Sequence, residues 1–366
     1  MTPKLQITKK KDTALVGLEI EAASIAATEV RANGSAHLTA TAIAPLPAGA
    51  FHDGEVVDSG ILATELKALF SERKLSRRVR LGIANQRVVV RTLRLPVIED
   101  PKELEAAVRF EAQERIPMPI DQAILDHRVI GGIPATENMA PQIDVVVVAA
   151  RRDMIEATLR PLRDAGLQPV GVDLSAFGLI RALAEPSTVA EESATEGAAA
   201  STSSTVLYCN VGDVTNLAVA RGRACLFTRV SPVGVEGVAE VLAGSTGLSP
   251  EHSRMWLNHV GLTEALETIE GDPQTVSKAR EALESGASSL LDELRLSLDF
   301  YGAQEGALPI ERVVLCGPGS AIPGLAERME PALSLPISIG RPEALSGLDP
   351  ASAARLTLSY GLALER

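Results

Sequence analysis

A strand pattern that occurs twice constrains this chain more than any other feature. Residues 13–46 hold three apolar runs, TALVGLEI, SIAATEV and AHLTATAIAPL, separated by short turns, and they read as a β-meander. The theme returns from residue 204 as STVLYCNV, a turn at Gly212-Asp213, NLAVARG and RACLFTRV. Each meander is followed by further helices and strands. In the first half the spacing predicts a helix over 58–75, with Leu62, Leu66, Leu69 and Phe70 on one face, then the strand VRLGIA, and later the strand PVGVDLS running into the helix SAFGLIRALA. In the second half the strand ERVVLCG, the turn PGSAIPG, the helix LAERMEPAL, the strand PISIG and a closing helix AARLTLSYGLALE complete the same order. A repeat of this size implies two similar lobes, and 366 residues is enough for two cores.

Both halves are interrupted. In the first, the strand RVVVRTLRLP precedes a helix that Asp100 caps, Pro101 opens and Glu103 completes as a capping box. The prolines of Ile116-Pro117-Met118-Pro119 stop it, because neither can continue the hydrogen-bond ladder. Two strands, AILDHRVIG and IDVVVVAARR, and a helix ending at Gly166 follow. The expected organisation is a first lobe over 1–185 with an inserted subdomain at about 87–165, and a linker over 186–205 that is rich in Ser, Thr, Ala and Glu and lacks periodicity. A second lobe over 206–366 carries a helical insertion at about 235–305. The long helix of that insertion, from about Thr275 to Gln304, aligns Leu283, Leu290, Leu294, Leu298 and Tyr301 in one stripe. Two βββαβα halves describe an α/β fold of the duplicated actin-like type (ASKHA, RNase H-like), with a cleft between its lobes.

Composition removes several functions. A formal charge of −12, from 35 Lys and Arg against 47 Asp and Glu, repels polyphosphate backbones, so no nucleic-acid partner is expected. Aromatic residues, at 3%, are too few to stack on bases or sugars. Cys209, Cys225 and Cys316 all fall in apolar strands and are expected to be buried, reduced thiols, which suits a cytoplasmic location. No signal peptide or stretch of about 20 apolar residues is present, so direct membrane insertion is not expected. The five histidines show no metal-ligand spacing, and no metal site is predicted.

The insertion narrows the reading further. The run RTLRLPVIEDPKELEAAVRFEAQERIPMPIDQAILDHRVIG, then DVVVVAARRDMI, AGLQPVGVDLSAFGLIRAL and RLSLDFYGAQ, resembles the PilM family of type IV pilus assembly proteins over almost the whole chain. The related FtsA type shares the insertion, a 1C-like subdomain, but ends in an amphipathic membrane helix, which GLALER does not resemble. The resemblance implies a cytoplasmic adaptor beneath the inner membrane, holding the cytoplasmic N-terminal tail of a single-span PilN-like partner among other pilus assembly components, with a homo-oligomer possible. It implies a peptide groove at Ile116, Pro117, Met118, Pro119, Ile120 and Leu125. Two alternatives stand beside the groove: the prolines serve only to end a helix, and Arg109 and Arg115 are only solvated.

The resemblance also implies an ATP and Mg²⁺ site, and here the chain departs from it. The first phosphate turn is Glu19-Ile20-Glu21-Ala22-Ala23-Ser24 where the family shows Asp-Ile-Gly-Ser-Ser-Ser, and Ala26 stands where the family has lysine. A carboxylate about 4 Å from a phosphate charge costs roughly 4 kcal/mol at an effective dielectric of 20. In the second turn Asn210 and Gly212 replace an Asp-x-Gly, leaving Thr215 and Asn216 as polar contacts. The family's nucleoside-holding Glu and Lys fall on Arg254 and Leu257, and its Gly-Gly turn is Gly317-Pro318-Gly319, one donor short. A cleft that does not hold ATP tightly is expected, with Glu21 exposed or paired to Arg221 or Arg229. The alternatives are that Glu19 and Glu21 together bind Mg²⁺, or that the protein is an ATP-binding switch with weak ATPase activity.

Overall fold

The computed structural model describes residues 14–32, 36–135, 140–184, 204–304 and 306–364. The meander residues form β1 (Ala14–Ile20), β2 (Ser24–Ala32) and β3 (Ala36–Pro45). A short hairpin follows, β4 (Phe51–His52) and β5 (Glu55–Val56), then α1 (Ser59–Glu72) and β6 (Arg78–Ile83). The insertion contributes β7 (Val89–Pro96), α2 (Pro101–Arg115), β8 (Ala123–Ile133) and β9 (Gln142–Arg151). The first half closes with α3 (Arg152–Asp164), β10 (Gln168–Leu174) and α4 (Ser175–Leu183). Of the expected linker, 186–203 lies outside the described residues.

The second half runs β11 (Thr205–Val211), β12 (Thr215–Arg221), β13 (Ala224–Ser231), α5 (Val235–Thr246), α6 (Pro250–Val260), α7 (Pro273–Gly302), β14 (Arg312–Cys316), α8 (Leu325–Leu333), β15 (Ile337–Ile339) and α9 (Pro350–Ala363). The duplication is visible in strand order. One sheet is β10-β6-β1-β2-β3 and the other β15-β14-β11-β12-β13, so corresponding strands occupy corresponding places. In each, the meander is antiparallel and the last two strands are parallel to the first.

Apolar alternation assigns each sheet two covered faces. Leu62, Leu66, Leu69 and Phe70 of α1 and Leu162 of α3 pack under Val16, Leu18, Val79 and Leu81. On the second sheet, Leu207, Leu217 and Leu315 meet Leu242 of α5, Leu257 of α6 and the α7 stripe, of which Leu283, Leu290, Leu294 and Tyr301 are buried and Leu298 partly so. Between the sheets lie α4 and α9, exchanged: α4, the last helix of the first half, packs on β11 and β12, while α9 packs on β1 and β2. The two helices cross where a Cβ on Gly361 would stand 1.9 Å from the Gly178 carbonyl, so only glycine permits the approach. Arg181 ties the crossing together, donating to Asp173 Oδ2 at 2.7 Å and to the Gly361 carbonyl at 3.0 Å.

The insertion has its own sheet, β7-β9-β8, and its own core of Leu93, Leu95, Val108, Ala112, Val145, Val147 and Ala149. Asp100 caps α2 by accepting from the Lys102 and Glu103 amides, and the α2 ladder ends at Ile116. Among the described residues no helix is long and apolar enough to cross a membrane.

Candidate functional site

The first turns of the two halves, Glu21–Ala23 and Gly212–Val214, face each other across the gap between the lobes. Three expected site residues of the first turn converge on one side chain from the far end of the chain. Arg355 of α9 is buried, and its Nε donates to Ser24 Oγ at 2.8 Å and its Nη2 to the Ser24 carbonyl at 3.0 Å. Its Nη1 donates to Glu19 Oε2, and its Nε lies 3.3 Å from Glu21 Oε2. The partner of Glu21 is therefore Arg355 and not Arg221 or Arg229; Arg229 pairs instead with Glu293 at 3.5 Å. Sequence reading missed Arg355 because its partners lie more than 330 positions away; its one signal is a charge inside an otherwise apolar closing helix.

One guanidinium faces two carboxyl groups here, one acid more than it can neutralise. Burial pushes the Glu19 carboxyl up from 4.5 to about 8, against the attraction of Arg355 and with added repulsion from Glu21. This arrangement also bears on the expected alternative of Glu19 and Glu21 jointly holding Mg²⁺: a guanidinium already occupies the space between their oxygens.

The two turns also bind each other. Glu21 Oε1 accepts from the Asp213 amide at 3.4 Å, and Asp213 Oδ2 accepts from the Ala22 amide at 3.3 Å. Each half's turn amide is thus capped by the other half's carboxylate. Gly212 makes room for this, since a Cβ there would lie 1.9 Å from Glu21 Oε1.

The remaining expected residues are mostly engaged in holding the fold. Thr215 donates to the Val233 carbonyl at 2.6 Å. Gly317, at φ +78°, and Gly319 pack against Asn210 and Val211, where a Cβ on either would come within 2.5 Å. Arg254 is bonded by one nitrogen to both Glu236 oxygens, at 2.7 and 2.9 Å, and Leu257 belongs to the second lobe's core. Asn216 differs: it is buried on the cleft wall with Asn210 and Asp213, and its amide nitrogen has no partner. The space that remains between the lobes is about 530 Å³ including its open mouth, lined also by Glu19, Glu21, Thr158 and Ser175.

The residues of the expected groove divide. Ile116 and Ile120 point into the core of the insertion, whereas Pro117 and Pro119 are exposed and Met118 and Leu125 half-buried. Strand β8 is an edge of its sheet, and Phe110 on α2 is 66% exposed, an aromatic on the surface of a chain that has few.

Comparison with known proteins agrees with this architecture. A sequence model of the family described as type IV pilus assembly protein PilM matches residues 17–365. A chain of a solved PilM-PilN type IV pilus biogenesis complex is similar at 28% identity and a TM-score of 0.75, with 95% of this chain and 97% of that chain covered. The ethanolamine utilization protein EutJ from Carboxydothermus hydrogenoformans, at 15% identity and a TM-score of 0.52, covers 96% of this chain and 89% of its own. MreB5 of Spiroplasma citri, solved with ADP, has 12% identity and a TM-score of 0.51 over 95% of this chain and 94% of its own. The last two agree with an actin-like two-lobe fold.

Proposed function

Because the chain belongs to the type IV pilus assembly protein PilM family, we propose that it is an adaptor that recruits the N-terminal tail of a PilN-like membrane protein and does not cycle through ATP. It sits on the cytoplasmic face of the inner membrane by virtue of that partner. The observation that carries this reading is the capping of both phosphate-facing turns by the protein's own carboxylates, Glu21 on the Asp213 amide and Asp213 on the Ala22 amide. An incoming triphosphate would have to displace both and then lie beside them. For Asp213, which makes no ion pair among the described residues, repulsion at about 4 Å is roughly 4 kcal/mol, about a thousandfold in affinity.

The insertion supports the binding half of the reading. Its own core packs under α2 and β8, and β8, which pairs on one side only among the described strands, presents its outer edge to an extended peptide. Pro117, Met118 and Pro119 lead into that strand, and Leu125 is a half-buried apolar side chain near its start. The unpartnered nitrogen of Asn216 favours a second reading, the ATP-binding switch, in which opening of the lobes would expose a donor to phosphate oxygen.

Calorimetric titration separates the two. The expected result is saturable binding of a synthetic PilN-type N-terminal peptide, weakened at least tenfold by Met118→Asp or Leu125→Asp, with no heat from Mg-ATP up to the millimolar range. Micromolar ATP binding with hydrolysis overturns the adaptor reading.

A further inference from the structure

Above the capped turns, the β4–β5 hairpin of the first lobe reaches over the second lobe's turn. Its central residues Asp53 and Gly54 have φ of +50° and +76°, the conformation of a tight two-residue hairpin. The tip is held in place: a Cβ on Gly54 would stand 2.2 Å from the Ala84 carbonyl, Asn85 Nδ2 donates to the Gly54 carbonyl at 3.3 Å, and Arg87 pairs with Glu55 at 3.0 Å. This anchoring delivers His52 and Asp53 to Asp213, and the imidazole and two carboxylates place one ligand atom each within 4.8 Å of one another.

We propose that His52, Asp53 and Asp213 form a binding site for a divalent first-row transition ion, Zn²⁺ in the first instance, that clips the two lobes together at the mouth of the cleft. The donor chemistry is the first argument. One imidazole nitrogen with two carboxylate oxygens suits Zn²⁺, whereas Ca²⁺ needs six to eight oxygens and Mg²⁺ favours an all-oxygen octahedron. Charge is the second. Glu21 is compensated by Arg355 and Glu236 by Arg254, but Asp213 is buried and, among the described residues, makes no ion pair. Spacing is the third. His52 Nε2 and Asp53 Oδ2 lie 3.5 Å apart, close to the separation of two ligands at about 2.0–2.1 Å from one tetrahedral ion, and both side chains are about half exposed. Asp213 lies opposite them on a turn fixed under Gly234.

The site does not depend on nucleotide or on the peptide groove, so its test is independent of theirs. The full chain, without an affinity tag and stripped with chelator, is titrated with ZnCl2 and with MgCl2, and its thermal midpoint is followed. The expected result is one Zn²⁺ per chain at micromolar affinity and a midpoint raised by several degrees, with no change from Mg²⁺. His52→Ala, at an exposed position that leaves the carboxylate caps intact, weakens binding at least tenfold and abolishes the thermal shift; Asp213→Asn does the same, and His259→Ala changes neither. The cysteines are weak competitors: Cys209 and Cys316 are buried, Cys225 is half-buried rather than buried as expected, and desolvation pushes Cys209 and Cys225 up to about 12 and Cys316 also well up. Zn²⁺ binding that survives His52→Ala unchanged, or no binding below the millimolar range, overturns the proposal.

Discussion

At the scale of single residues, Arg355 bears the greatest responsibility. It is buried, it neutralises the first turn, and it joins the last helix to the first hairpin. Replacing it by methionine keeps the volume and strands two carboxylates in the interior. Removing one partner of a buried pair costs about 3–5 kcal/mol, so Arg355→Met is expected to lower the urea midpoint by that much stability, with Glu19→Gln added in the same chain recovering part of it. The surplus acid also sets a pH dependence. The folded Glu19 carboxyl is raised from 4.5 to about 8, so the native state holds a proton that the unfolded chain releases. Its stabilising contribution is full below about 4.5 and is lost as pH rises towards 8. Glutamine imitates the protonated form, so wild-type stability relative to Glu19→Gln should fall between pH 5 and pH 8 in denaturant titrations. A rise over that range contradicts the assignment.

At the scale of elements, periodicity was a good guide wherever an element was long enough to show one. The α1 face, the α7 stripe and both meanders were legible because their burial follows the 3.6- and 2-residue periods of their own backbone. The β4–β5 hairpin was not, since strands of two residues carry no alternation, although Asp53-Gly54 is a recognised turn pair. Consequently His52 seemed unconnected to any ligand, while the fold sets it against a residue 161 positions later. The Ile-Pro-Met-Pro segment shows the opposite limit. Its composition announces where α2 stops, but which side chains face inward depends on the angle at which the chain leaves the helix, and Ile116 and Ile120 turn into the core. In the cleft, the departures at Glu21, Ala26 and Arg254 were readable one by one. The crossed carboxylates were not, because the amides they cap belong to opposite halves of the chain.

At the scale of the whole molecule, the duplicated sheets are bound into a single unit by their exchanged helices. Each sheet has its inner face covered largely by the other half's helix: Leu179 and Ile180 of α4 pack with Val206 and Tyr208 of the second sheet, and α9 runs along β1 and β2. Heat or urea should therefore melt both lobes together. The fluorescence of Trp256, the single tryptophan, which lies in the second lobe, and far-UV circular dichroism of the full chain are expected to give coincident transitions; a first-lobe transition well separated from that of Trp256 contradicts this coupling.

The exchange also bears on the chain's ancestry. Once each copy of the doubled unit lends its closing helix to the other, neither copy can be discarded or shortened from its end without baring its sibling.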